Sequence, residues 1–168
     1  MLERITAGGG SAGGHLAAAT ATVAGFDSPE DQTVVSCRPN ALLLFNPALV
    51  LAGIPGKAEM APEKLASITE RAGVESSKIS PYHGDLNSAP PTFIVHGKAD
   101  AIVSYQSVQF YAEKMQACDR ECRLIGYENQ KHGFFNIGKN GSDYFNKTVA
   151  EMDAFLVSLG YLKPQPKS

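Results

Sequence analysis

Little in this chain is in excess. Its 15 Lys+Arg stand against 17 Asp+Glu, a net charge of −2, so there is no basic surplus to suggest nucleic acid or an anionic membrane surface as a partner. No uninterrupted apolar run approaches the ~18 residues that a transmembrane helix requires. Met1-Leu2-Glu3-Arg4 leads directly into a short apolar stretch and lacks the basic, long apolar and small-residue regions of a signal peptide. A cytoplasmic location is therefore expected if the chain is complete, and location is open if it is not. Cysteine is scarce and odd in number, at Cys37, Cys118 and Cys122, which argues against a disulfide framework. Cys118 and Cys122 are in C-x-x-x-C spacing with no further ligands in the pattern, so no metal is expected there; they read as structural thiols near a helix end.

What is present fits one soluble globular domain over residues 1–168. The chain is 43% hydrophobic and 19% charged over 168 residues, enough for a single domain with a sizeable core, and it shows no internal repeat. Apolar runs alternate with helical stretches, the pattern of a three-layer α/β/α arrangement around a mostly parallel sheet. Strands are expected at Arg4–Ala7, Ala41–Phe45, Thr92–His96 and Arg123–Tyr127. Helices are expected at Gly13–Ala24, Pro62–Ala72, Tyr105–Ala117 and Ser142–Leu159. Pro62 suits a first helical turn and Gly73 an exit. Val149, Met152, Phe155, Leu156 and Leu159 give the last helix an apolar face. Between the first helix and the second strand, Asp27-Ser28-Pro29 opens a polar loop that runs to about Asn40, and Lys163 to Ser168 is a polar tail.

Three loops carry chemistry. Gly9-Gly10-Ser11-Ala12-Gly13 is a G-x-S-x-G pentapeptide between the apolar Ile5–Ala7 and the alanine-rich His15–Ala24. Strand, tight glycine turn and helix together make a nucleophile elbow, in which a strained turn presents the serine hydroxyl. Gly9, Gly10 and Gly13 accept unusual backbone angles and close packing of helix on strand. His96-Gly97-Lys98-Ala99-Asp100 follows the run Phe93–Val95, and Lys131-His132-Gly133-Phe134-Phe135 follows Leu124–Tyr127. Each puts a candidate catalytic side chain just past a buried strand, where active sites of open α/β sheets gather. The chain order is Ser11, Asp100, His132.

These residues resemble the esterase and lipase branch of the α/β-hydrolases, carbohydrate-esterase-like and related to the hormone-sensitive-lipase-like esterases. The resemblance rests on Gly9–Leu16, which reads G-G-S-A-G-G-H-L, on His96–Val103 and on His132–Asn136, and it extends from about Arg4 to Leu162. It implies a serine esterase with Ser11 as nucleophile, His132 as general base and acid, and Asp100 orienting the imidazole. An imidazole, with an unperturbed pKa of about 6.5, both accepts and returns a proton at neutral pH. Acyl transfer through an acyl-enzyme on Ser11 follows, needing no metal or organic cofactor. The backbone N–H of Ala12 is one oxyanion-hole donor. The other comes, in the family, from an H-G-G-G-type loop before the elbow, and the family fold begins well before this chain's elbow. The resemblance therefore implies the C-terminal part of an α/β-hydrolase, with residues 48–90 as a small cap or lid. It also implies an exposed sheet edge, open to homo-oligomer formation. Losing one oxyanion donor costs on the order of 10²–10³ in rate. The substrates expected by resemblance are short-chain acyl or acetyl esters, small or carbohydrate-linked.

Other readings compete. An inactive hydrolase fragment lacking a complete oxyanion hole is the first. A prolyl-oligopeptidase-type serine peptidase is the second, although nothing here corresponds to its gating domain. Gly8, Gly10 and Gly13 also satisfy G-x-G-x-x-G, but the stretch ~20 residues on, where a Rossmann unit shows a strand ending in an acidic residue, is a loop. Among single residues, His15 is expected to pack locally, His96 to close its strand, and His83 to lie exposed. Asp143 and Asp153 read as solvated face, and Glu128 is the reserve acid should Asp100 fail.

Overall fold

In a computed structural model, the structure describes residues 4–31 and 35–164; residues 32–34 of the polar loop and 165–168 of the tail lie outside. Among the described residues four strands form one sheet: β1 (Thr6–Gly10), β2 (Ala41–Phe45), β3 (Thr92–Gly97) and β4 (Cys122–Tyr127). They pair in chain order β1-β2-β3-β4, every neighbour parallel. The helices are α1 (Ala12–Thr22), α2 (Pro62–Ala72), α3 (Tyr105–Ala117) and α4 (Asp143–Ser158).

The alternation of side chains along β2 builds the layers. Leu42 and Leu44 face one way and pack with Ala17, Ala18 and Ala21 of α1 and Val108, Tyr111 and Met115 of α3. Leu43 and Phe45 face the other way, toward Phe93, Val95 and, on α4, Met152 and Phe155. β3 is buried at every position from Thr92 to Gly97, as expected for an inner parallel strand covered on both faces.

Most expected boundaries agree with the structure, and β1 does not. It runs from Thr6 to Gly10 rather than from Arg4 to Ala7, because Gly8, Gly9 and Gly10 pair with Leu43, Leu44 and Phe45. Two of the elbow glycines, Gly9 and Gly10, thus extend the strand. Gly9 is where α1 comes closest: a Cβ there would stand 2.6 Å from the carbonyl carbon of Gly13. α1 stops at Thr22 rather than Ala24, where Asp85 donates its backbone N–H to the Thr22 carbonyl.

Residues 48–90 hold α2 and two short 3-10 turns, Ser76–Ile79 and Pro81–His83. Parts of this stretch are fastened to the body. Leu49, Ile54 and Leu86 are buried, and Lys114 on α3 donates to the Tyr82 carbonyl at 2.6 Å. α2 is different, with none of its residues buried. His83, expected exposed, is half-buried. Its Nδ1 lies 2.9 Å from Ser80 Oγ and its Nε2 3.1 Å from the Gly53 carbonyl, a partner brought from a distant part of the chain.

Candidate active site

Ser11, Asp100 and His132 follow the carboxyl ends of β1, β3 and β4. Ser11 has φ 56° and ψ −118°, a conformation that costs a non-glycine residue about 1–3 kcal/mol and persists where surroundings over-determine it. The determinants are visible. Its N–H donates to the Phe45 carbonyl at 2.9 Å, and its carbonyl accepts from His15 N–H at 3.0 Å and Ala48 N–H at 3.4 Å. Ala12, next in sequence, opens α1, where a backbone N–H has no intrahelical acceptor. That N–H and the positive end of the helix are suited to a developing negative charge.

Asp100 is 8% exposed and its carboxylate is saturated. Oδ1 accepts the backbone N–H groups of Ile102 at 2.9 Å and Val103 at 3.0 Å. Oδ2 accepts His132 Nδ1 at 2.7 Å and lies 3.3 Å from His96 Nε2. Burial pushes the carboxyl pKa up, but hydrogen bonds from Val103 N–H, His132 and Ile102 N–H outweigh it and hold it below its usual value. Asp100 is thus ionised at neutral pH.

His96 does more than close its strand. It is fully buried, and burial lowers its pKa despite the Val103 carbonyl and the nearby carboxylate. Its Nε2 is 2.8 Å from the Val103 carbonyl, an atom that only accepts, so Nε2 carries the proton. That N–H is shared between Val103 and Asp100, and Nδ1 has no partner.

The His132 loop is fixed from several sides. Ala99 N–H donates to the Gln130 carbonyl at 3.0 Å and Lys98 N–H to the Tyr127 carbonyl at 2.9 Å. Phe134 packs between Tyr127 and Tyr144, with ring centroids 5.0 and 5.5 Å away, and Phe135 lies against Phe45 at 5.1 Å. With Nδ1 donating to Asp100, the lone pair of His132 resides on Nε2, the atom a base needs. Among the described residues, no hydrogen bond joins Ser11 Oγ to His132.

Nε2 lies instead 3.3 Å from Nδ2 of Asn46. In the sequence, Asn46 followed by Pro47 only marks the end of an apolar run and carries no catalytic reading. The available signal was its place: a polar residue at the carboxyl end of an inner strand, where the other candidate residues gather. Glu128, the reserve acid, pairs with Lys98 at the surface. His15, expected to pack locally, instead meets a distant segment, its Nε2 2.7 Å from the Ile79 carbonyl.

The three thiols are free, Cys37 exposed and the other two half-buried; burial pushes that of Cys122 up to about 12. Among the described residues no group of His, Cys, Asp and Glu could hold a metal ion, and no helix is long and apolar enough to cross a membrane.

A parallel sheet covered by helices, with a serine elbow and an Asp–His pair at its carboxyl edge, defines an α/β-hydrolase. A family model described as alpha/beta hydrolase fold matches residues 1–136, and the chain belongs to that family. Solved structures narrow the likeness to esterases. The apo form of Thermogutta terrifontis esterase 2 is 38% identical with a TM-score of 0.87, covering 97% of this chain and 58% of its own. The propionate-bound form is 39% identical with a TM-score of 0.86, covering 95% and 57%. The sarin-phosphonylated form is 38% identical with a TM-score of 0.88, covering 95% and 58%. The chain thus spans rather more than half the length of these esterases. No curated protein matches.

Proposed function

We propose that this chain carries the nucleophile, base and acid of a carboxylic-ester hydrolase. Ser11 Oγ attacks the ester carbonyl while His132 Nε2 takes its proton. Asp100 holds the Nδ1–H tautomer and stabilises the imidazolium, and Ala12 N–H receives the developing oxyanion. His132 then returns the proton to the leaving alcohol, and water, activated the same way, clears the acyl group from Ser11. The observation that carries this reading is the 2.7 Å contact between His132 Nδ1 and Asp100. It leaves Nε2 as the free base beside strand ends that present a serine in a strained turn.

Short-chain acyl esters are the substrate class this reading favours. Support comes from the neighbouring esterase, seen with propionate and with butyrate bound and phosphonylated by sarin. Residues 48–90 serve in this reading as a cap, with exposed α2 as its outer part.

A second reading, an inactive hydrolase fragment, is favoured by β1, which pairs with β2 on one side and is an edge of the described sheet. An apolar hollow of about 450 Å³, lined by Gly8, Phe45, Ile137 and Met152 among others, lies beside it. Hydrolysis of p-nitrophenyl acetate by the chain, next to Ser11→Ala at equal concentration, separates the two. Turnover well above the variant supports the hydrolase, and equal rates support the fragment.

A further inference from the structure

Asn46 ends β2, the strand between the one that leads to Ser11 and the one that leads to Asp100, and the triad chemistry assigns it no task. It is 1% exposed and has φ 36°, in the left-handed region that Asn and Asp enter more readily than other side chains. Its backbone N–H donates to the Val95 carbonyl at 2.8 Å. Its side-chain oxygen accepts the Gly133 N–H at 3.1 Å. A backbone N–H only donates, so the amide oxygen must face Gly133 and the NH₂ group must face the other way. There it meets His132 Nε2 at 3.3 Å.

We propose that Asn46 is a positioning residue for the catalytic histidine. Its carboxamide, locked in orientation by Gly133, orients the ring in the Nδ1–H tautomer that Asp100 sets and opposes protonation of Nε2. The inference rests on the triad reading for its catalytic consequence and on the Asn46 geometry for its physical one. The amide donates to a neutral Nε2. Once that nitrogen takes the proton of Ser11, two N–H groups face each other. Turning the amide over would relieve them only by setting NH₂ against the Gly133 N–H. Asp100, bonded to Nδ1, stabilises the imidazolium, with neutral His96 behind it; Asn46 works against it at the other nitrogen. As the bond from Ser11 Oγ to the carbonyl carbon forms and the bond to the alcohol oxygen breaks, the proton on Nε2 is pressed toward the departing alkoxide.

Nitrogen-15 NMR of the imidazole, followed with pH, tests this in the wild-type chain, Asn46→Asp and Asn46→Gly. Asp tolerates the same backbone angle and keeps an oxygen for Gly133, but turns a carboxylate oxygen toward Nε2. Its His132 resonances should titrate about 1–3 pH units higher than those of the wild type, the usual effect of an adjacent opposite charge. The acid limb of kcat/KM should move with them. Gly removes the amide and relaxes the backbone, so the imidazole should titrate above the wild type, though less far than in Asn46→Asp, with kcat lower by up to about tenfold, one hydrogen bond's worth, and KM little changed. Each variant must show a dispersed amide spectrum, and Asn46→Gly serves should Asn46→Asp not fold. Titration of Asn46→Asp or of Asn46→Gly at the wild-type pH overturns the proposal. A shifted titration in a chain that hydrolyses no ester leaves this proposal standing and removes the triad reading; an unmoved titration in an active enzyme does the reverse.

Discussion

The strands that lead to Asp100 and to Ser11 are built differently. β3 is buried along its whole length, and the carboxylate that follows it is met by two backbone N–H groups and two imidazoles. β1 alternates between exposed and half-buried, contributes three glycines with no side chain to pack, and lies at the edge of the described sheet. Asp100 is fixed by packing and hydrogen bonds from many directions. Ser11 is fixed by backbone geometry: one ladder bond to Phe45, the start of α1, and a glycine that lets the helix close on the strand. One half of the site is over-determined and the other depends on a fit of backbone to backbone.

That contrast is open to test, beginning with its largest consequences. Ser11→Ala and His132→Ala should each lower kcat by about 10⁶, as for residues that act as one unit. Asp100→Asn, which leaves the shape but upsets the tautomer, should cost about 10⁴. Steady-state assays on matched preparations decide this; comparable losses from Glu128→Gln would move the acid away from Asp100. Within the scaffold, Phe93→Ala on β3, which stacks on Phe155, should lose about 3–5 kcal/mol in urea unfolding. Thr6→Ala on exposed β1 should stay within about 0.5 kcal/mol, and equal losses at the two positions would erase the distinction between the strands. Gly9→Ala lies between them. Its methyl would press on the Gly13 backbone, lifting α1 from β1 at a cost of about 1–3 kcal/mol and weakening activity more than stability.

The smallest effect expected is a pH dependence carried by His96 on β3 and Asp100 in the loop after it. His96 has a lowered pKa when folded. Its unfolded form takes up a proton as pH falls through about 6.5 while the folded form does not, so stability declines below that pH until the folded pKa is reached. Asp100 is also lowered. Its contribution is fully present above its unfolded value of about 3.9 and is lost as pH falls through the folded one. Stability should therefore fall on acidification, beginning near pH 6.5 through His96 and continuing below about pH 3.9 through Asp100. His96→Gln should flatten the upper part of that fall and Asp100→Asn the lower in thermal melts taken against pH.

Much of this was legible in the chain because the informative residues sit at ends of apolar runs. Ala41–Phe45, Pro62–Ala72 and Tyr105–Ala117 are bounded by proline, glycine or a change of polarity, and the structure has them as read. β1 was misplaced because Gly8, Gly9 and Gly10 carry turn chemistry locally, and only their pairing with β2, more than thirty residues away, makes them a strand. Asn46 hid for a related reason. Asn-Pro after an apolar run stops a strand whatever else it does, and its partners, His132 and Gly133, are separated from it by 86 and 87 residues. His83 reads in sequence as a surface residue because its acceptor at Gly53 is likewise set by the fold. Local chemistry shows in sequence; contacts between segments do not.

The most direct measurement is intact-protein and peptide mass spectrometry after incubation with diethyl p-nitrophenyl phosphate. A phosphoryl trap needs an activated serine but no deacylation step, so it reads the nucleophile itself. A single diethylphosphoryl adduct on Ser11, absent from Ser11→Ala and strongly slowed in His132→Ala, is the expected result. An unlabelled wild-type chain, or a label that persists in Ser11→Ala, would contradict the assignment of Ser11 as an activated nucleophile.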